Sequence, residues 1–248
     1  MKIEARGIRK EFRSGSHSLE ALGGIDLGVE AGEFLCIVGP SGCGKSTFLR
    51  IAAGLDAADG GSLLFDGRPV SGTGPERIMV FQEGALFPWM DVQDNVEFGL
   101  RMAGLPRAER AEISARYLDM MQLSRFSRYY TYQLSTGMKQ RVAIARALAM
   151  DPDVLLMDEP FAALDEGTRN LLLGEVQQIW ARTAKTVLFV THNVEEAAVL
   201  GTRIAVFGSR PSEVRAVVGN PLPRPRAAGD PGLGPVKAEI SAALGGAP

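Results

Sequence analysis

Apolar positions along this chain switch between two periods. Residues 34–38 (Phe-Leu-Cys-Ile-Val) are apolar throughout, over the length of a strand buried on both faces. Ser46 to Ala53 then places Phe48, Leu49, Ile51 and Ala52 at helical spacing, with Gly54 where a C-terminal cap belongs. Gly39 to Gly44 between them must be a loop, so the unit is strand, loop, helix. The rest of the first half reads as short strands broken by Gly-rich turns. Examples are Ser62 to Phe65 and Ile78 to Phe81, separated by Asp66-Gly67 and by Gly72 to Pro75. From about Asp91 to Met121 the spacing of Val96, Leu100, Met102, Ile113, Tyr117, Leu118 and Met121 predicts a helical insertion with one buried face. A second clear helix covers 139–150, lined by Val142, Ala145, Leu148 and Ala149 and stopped at Asp151-Pro152.

The alternation then repeats to the end of the patterned region. Val154 to Met157 is a buried strand, Leu172, Val176, Ile179 and Trp180 mark a helix, and Thr186 to Val190 is a strand. Val194 to Leu200 is a helix and Ile204 to Phe207 a strand. Strands alternating with helices predict an α/β fold with a mostly parallel sheet covered on its faces. Beyond about Arg210 the chain is rich in Pro, Gly, Ala and Arg, which predicts a short, partly ordered tail. No internal repeat is visible.

Composition narrows the picture without changing it. The 248 residues are 46% hydrophobic and 23% charged, enough for one large α/β domain or a core with a smaller subdomain, and unlike a disordered chain. Lys plus Arg is 27 against 29 for Asp plus Glu, a net charge of -2, which removes the attraction expected of a general nucleic-acid binder. The two cysteines, Cys36 and Cys43, fall on the strand and loop just described, which argues against a disulfide scaffold or metal cluster and fits a reducing compartment. No run approaches the length of a membrane helix, and Met1 to Phe12 lacks the apolar core of a secretory signal, so a cytosolic protein is expected.

The loop carries the chemistry. Gly39-Pro-Ser-Gly-Cys-Gly-Lys-Ser-Thr47 fits G-x-x-x-x-G-K-[ST] after a strand and at a helix start. Gly39, Gly42 and Gly44, with Pro40, Ser41 and Cys43 between them, let the backbone curl so that successive N–H groups point inward at a triphosphate. The start of the helix adds positive potential. Lys45 is expected to reach the β- and γ-phosphates, Ser46 to place its hydroxyl on Mg²⁺, and Thr47 to complete the ATP-binding segment. At the end of strand 154–157, Asp158 and Glu159 lie at the sheet edge where open α/β proteins bind ligands. Adjacent acids there need a cation. Asp158 is expected in the Mg²⁺ shell, and Glu159, aimed the other way, is expected to polarise the attacking water.

These two motifs, with Leu134-Ser-Thr-Gly-Met-Lys-Gln-Arg141 between them, resemble the ATP-binding subunit of ABC transporters, whose signature reads Leu-Ser-Gly-Gly-Gln/Met. The resemblance covers about residues 1–207. It implies a P-loop NTPase core with a mostly parallel sheet, an N-terminal antiparallel β portion and a helical subdomain inserted at about 86–150, followed by a tail at 208–248. It also implies that Phe12 stacks on adenine, that Gln82 contacts Mg²⁺ and senses the transmembrane partner, and that Ala163-Leu164-Asp165 is the D-loop. His192 would be the switch histidine on the γ-phosphate. Ser135, Thr136, Gly137 and Met138 open helix 139–150, a second positive helix end in one chain. Two such ends imply two copies, the ATP on the loop of one being capped by the signature of the other.

Thr136 departs from the family pattern, standing where the first signature glycine is usual. A backbone there with φ > 0 disfavours a β-branched residue, whereas its hydroxyl could donate toward phosphate. Leu86-Phe-Pro-Trp-Met90, followed by Asp94-Asn95-Val96, either faces a coupling helix of a permease or packs inside the insertion. That segment, with Arg210-Pro211 and Leu222-Pro-Arg-Pro-Arg226, resembles importer ATPases for nitrate, alkanesulfonate and taurine. The expected partners are a second ATPase subunit, a permease and, indirectly, a solute-binding protein, with the chain peripheral on the cytoplasmic face of the membrane. The rivals are a transporter of another solute class, a soluble ABC-type ATPase, disfavoured by the short gap between loop and signature, and a nucleotide-binding scaffold without hydrolysis, opposed by Glu159.

Overall fold

The computed structural model describes residues 1–15, 17–82 and 85–245. Among them the strands form two sheets. The first is antiparallel, in the order β2-β1-β4-β5, from β1 (Ile3–Ser14), β2 (His17–Val29), β4 (Gly60–Phe65) and β5 (Arg68–Pro69). The second runs β10-β9-β3-β8-β7-β6 and is built on β3 (Phe34–Val38). Its other members are β6 (Arg77–Val80), β7 (Val154–Asp158), β8 (Thr186–Thr191), β9 (Arg203–Phe207) and β10 (Val214–Gly219). Pairing is parallel except at β10, which runs antiparallel to β9.

Alternation along β3 decides which layer each side chain joins. Leu35 and Ile37 face α1 (Lys45–Ala52) and the antiparallel sheet, where they meet Phe48, Leu49, Ile8 and Ile25. Phe34, Cys36 and Val38 face the opposite layer, built by α5 (Glu166–Thr183), α6 (Val194–Leu200) and the helical subdomain. That subdomain packs α2 (Val92–Met102), α3 (Arg107–Met120) and α4 (Thr136–Ala149) against one another. Asp91 caps α2 by accepting from the Asp94 N–H at 2.7 Å, and Gly104 at φ 81° followed by Pro106 separates α2 from α3. The single helical pattern over 91–121 is therefore two helices joined by a turn.

Three other boundaries differ from the sequence reading. The first thirty residues hold two long strands of 12 and 13 residues where short ones were expected. Gly7 and Gly24, at φ 58° and 130°, bend strands that stay paired across their register shifts, so these glycines do not end them. The helix expected at 139–150 begins three residues earlier, because the Ser135 hydroxyl accepts from the Met138 N–H and caps it.

The third difference is the tail. Residues 208–245 contain β10 and a helix, α7 (Gly234–Ala243), and bury Val218, Leu233, Val236 and Ile240 in the main core. Arg226 supplies much of the reason: its guanidinium donates to the carbonyls of Gly201 at 2.6 Å, Leu222 at 2.7 Å and Asn220 at 3.0 Å. Gly201 is the C-cap of α6, so this arginine satisfies carbonyls that a helix end leaves open. The Pro- and Arg-rich stretch is a strap; residues 246–248 lie outside the described part.

Candidate functional site

The phosphate loop grows out of β3 and ends at the first residue of α1. Gly42 and Gly44 lie at φ 71° and 113°, in the region that side chains disfavour. At Gly44 space matters too, because a Cβ would stand 2.9 Å from the Ala21 carbonyl oxygen and from a Leu22 methyl. Gly39 is pinned similarly, its Cβ position being 2.9 Å from Cys43 Sγ and from the Phe207 carbonyl oxygen. Cys43 is thus a buried packing residue under the loop, while Pro40, Ser41 and Gly42 are exposed on it and Thr47 is half-buried in the first turn of α1.

Lys45 is 4% exposed, and its ammonium donates to the carbonyls of Gly39 at 2.8 Å and Pro40 at 3.0 Å. Glu159 lies 4.0 Å from the same ammonium. A buried cation resting on backbone carbonyls is poorly compensated compared with one facing a polyanion. The Ser46 hydroxyl donates to Asp158 Oδ1 at 2.8 Å, which joins the loop to the end of β7. Burial pushes the Asp158 carboxyl above the ordinary range; the Ser46 hydroxyl opposes this, while the charge of Glu159 adds to it.

Glu159 has φ 43°, a turn that takes its side chain out of the strand alternation, and its N–H donates to the Val190 carbonyl at 2.9 Å. Its carboxylate meets His192 Nδ1 at 2.8 Å. A carboxylate oxygen accepts, so the proton in this contact is carried on Nδ1. His192 follows β8 and Asp158 ends β7, so Ser46, Asp158, Glu159 and His192 converge at the C-terminal edge of three neighbouring parallel strands.

The other expected residues stand apart from this cluster. Among the described residues no hydrogen bond or ion pair joins Phe12, Gln82 or the segment 135–138 to loop 39–47. Phe12 is not core: it is 45% exposed on the β1–β2 hairpin, with the Lys10 ammonium 5.7 Å from its ring centre. Gln82 is exposed on the turn after β6, the strand beside β7. Thr136 is exposed and begins α4 with helical backbone, so the left-handed strain considered for it does not arise. Gly137 is buried, and a Cβ there would lie 2.6 Å from Thr168 Cγ2 on α5. Half-buried Met138 packs on the core, and Asp165 caps α5 by accepting from the Thr168 N–H at 3.0 Å. The start of the signature helix is therefore packed on the start of the helix that Asp165 caps.

Two residues beside the cluster carry no motif. The Thr191 hydroxyl donates to Glu196 Oε2 at 2.7 Å, directly before His192 in sequence. Glu196 is only 4% exposed, an acid among the buried apolar residues of α6.

Comparison with known proteins shows the family. Residues 22–162 match the family described as ABC transporter. An uncharacterized ABC transporter ATP-binding protein of Methanocaldococcus jannaschii is 49% identical over 91% of this chain and 85% of its own length. The nitrate import ATP-binding protein NrtD of Synechocystis is 47% identical over 87% of this chain and 81% of its own. The taurine import ATP-binding protein TauB of Roseobacter denitrificans is 45% identical over 86% and 80%. Among solved structures, the dimeric ATP-binding cassette MJ0796 in a post-hydrolysis state with ADP and Pi is similar at a TM-score of 0.77, with 31% identity over 91% of this chain and 99% of that one. With its phosphate loop, acidic strand end and signature in one mixed α/β frame, the chain belongs to the ABC transporter family.

Proposed function

We propose that this chain is the ATP-hydrolysing subunit of a membrane importer for a small anion or organic solute of the nitrate or taurine kind, working as a pair of identical copies on a permease. The observation that carries the reading is the double pairing around one Gly-rich loop, Ser46 with Asp158 and His192 with Glu159, each at 2.8 Å. Backbone N–H groups from Gly42 to Thr47 cradle the phosphates at the start of α1. Lys45 exchanges its two carbonyl acceptors for the β- and γ-phosphate oxygens. Phe12, exposed on its hairpin, offers a face for adenine.

The hard oxygens of Ser46 and Asp158 meet in one place at 2.8 Å, and burial with the neighbouring Glu159 charge works against the Asp158 carboxylate, which fits Mg²⁺ there, with Gln82 as a further ligand from the turn after β6. Bound there, Mg²⁺ supplies positive charge against the β- and γ-phosphate oxygens. Glu159 orients the attacking water and accepts its proton. His192 donates Nδ1–H to Glu159, which orients the ring and turns Nε2 toward the γ-phosphate. Catalysis is mostly positioning and charge stabilisation.

The reading of a second copy starts from one chain having two helix starts suited to an anion, those of α1 and α4. Among the described residues no hydrogen bond or ion pair joins 135–138 to loop 39–47; a role toward the nucleotide held by a partner suits this placement, and the dimeric cassette of a relative is consistent with it. The permease surface is the aromatic edge of the subdomain. Asn95, completely buried, donates to the carbonyls of Phe87, Met90 and Asp91 and accepts from the Phe87 N–H, which stiffens the segment. Phe87 packs on Phe98 at 4.4 Å between ring centres, whereas Trp89 is 69% exposed. The segment thus serves both readings left open by the sequence: Phe87 packs inward and Trp89 faces a partner. Among the described residues no helix is long and apolar enough to cross a membrane. Docked on its permease, the subunit lies peripherally on the cytoplasmic face. A solute-binding protein outside the membrane completes the importer, and nucleic acid plays no part.

Purified Glu159→Gln is expected to hydrolyse ATP about 10²- to 10⁴-fold more slowly than the parent while still binding it. Hydrolysis at the parental rate removes Glu159 as the base. Co-purification with a membrane protein separates the importer from a soluble ATPase.

A further inference from the structure

An ion pair of half-buried Arg169 with buried Glu196, between the Asp165 loop and the His192 strand end, takes no part in the roles assigned above. Arg169 lies one turn into α5, and Glu196 lies in the first turn of α6; their side chains are 25% and 5% exposed. Glu196 divides its oxygens between two partners. Oε2 accepts from the Thr191 hydroxyl at 2.7 Å, and Oε1 faces Arg169 Nε at 3.4 Å. The Thr191 hydroxyl in turn accepts the Asn193 N–H at 3.0 Å, so the residues on both sides of His192 are tied to this carboxylate. At the other end Arg169 donates to the Leu164 carbonyl at 2.7 Å, one residue before Asp165.

Stability alone does not account for the pair. Burying a carboxylate this deeply is costly, and an apolar pair of similar volume would serve packing as well or better. The contact is also loose, since Arg169 Nε is buried without a hydrogen bond. Such a pair has room to tighten or to part, which is what a link between two moving segments requires.

We propose that the Arg169–Glu196 pair is a positioning link that transmits the placement of the Leu164–Asp165 loop to the backbone around His192, and so to the His192–Glu159 contact. The proposal rests on the roles given to His192 and Glu159 above. When a second copy presses on the Asp165 loop, the Leu164 carbonyl carries Arg169 with it. Glu196 and Thr191 follow, and the imidazole is re-aimed.

The test uses the fact that the chain has two histidines, His17 and His192. In full-length protein labelled with ¹⁵N-histidine, Arg169→Lys and Glu196→Gln are expected to shift the His192 ring signals while those of His17 stay in place. Each variant should lower kcat about 3- to 30-fold, with KM for ATP within about twofold of the parent. The double variant should be no slower than the slower single one. Thr191→Val removes only the hydroxyl relay and is expected to move the same His192 signals, which keeps the proposal falsifiable if a charge variant fails to fold. Unmoved His192 signals in these variants, or losses in kcat that multiply in the double variant, overturn the link. His192→Ala at the parental rate would instead sink the catalytic reading, and the histidine spectrum would still decide the link.

Discussion

Glu159 shows how one backbone angle creates a site. Strand alternation sends successive side chains to opposite faces, which separates Asp158 from Glu159, but φ 43° takes Glu159 out of the strand and onto His192 at 2.8 Å. A non-glycine residue in this region is disfavoured and persists only where its surroundings hold it; here the Val190 carbonyl takes its N–H. Thr136 is the opposite case, a residue that looked strained and is not. Helical backbone and an exposed side chain leave its hydroxyl available as a donor. Thr136→Gly removes that donor, and the ATPase kcat/KM is expected to fall about 2- to 10-fold, the worth of one modest hydrogen bond. A greatly raised rate would show that the hydroxyl hinders turnover.

At the scale of elements, the close approach of the first turn of α4 to the first turn of α5 explains why position 137 is glycine. A methyl at Gly137 would stand 2.6 Å from Thr168 Cγ2, so Gly137→Ala is expected to cost about 1–3 kcal/mol as overpacking. Thr168→Ser removes that methyl, and Gly137→Ala/Thr168→Ser is expected to regain most of the loss in a thermal melt. The cap of α5 makes a pH prediction. The Thr168 backbone N–H holds the Asp165 carboxyl below the usual carboxylate range, so its contribution to stability is present above the unfolded-chain value and is lost as pH falls through the lowered one. Asp165→Asn keeps the cap and is expected to match the parent Tm at neutral pH while flattening its decline in acid. Asp165→Ala lowers Tm across the whole range.

Across the whole molecule the tail belongs to the fold. Ending the chain after Phe207 would strip β10 and α7 from the core, uncovering Val218, Leu233, Val236 and Ile240 and removing Arg226 from the end of α6. Each large apolar side chain is worth about 1.5–3 kcal/mol when buried, a sum comparable to the net stability of a domain. The shortened chain is expected to be insoluble or to melt far below the parent, as differential scanning calorimetry of any soluble fraction would show. Because α6 follows His192, the strap also bears on the site it never touches.

What the sequence determined by itself was local: the phosphate loop, the acidic strand end, the alternation of strands and helices over 154–207, and the family. Each of these depends on contiguous residues whose backbone needs are written in their types, as Gly42 and Gly44 show at positive φ. Tertiary structure decided what depends on residues far apart. Composition read 208–248 as a short, partly ordered tail because its prolines and arginines lack periodicity, yet Arg226 is held by carbonyls that the end of α6 leaves open. The hydrophobic pattern of α6 passed over Glu196 because its partners, Thr191 and Arg169, come from another strand and another helix. Hydrogen bonds and ion pairs between distant elements leave no periodic trace, and they set the reach of the sequence.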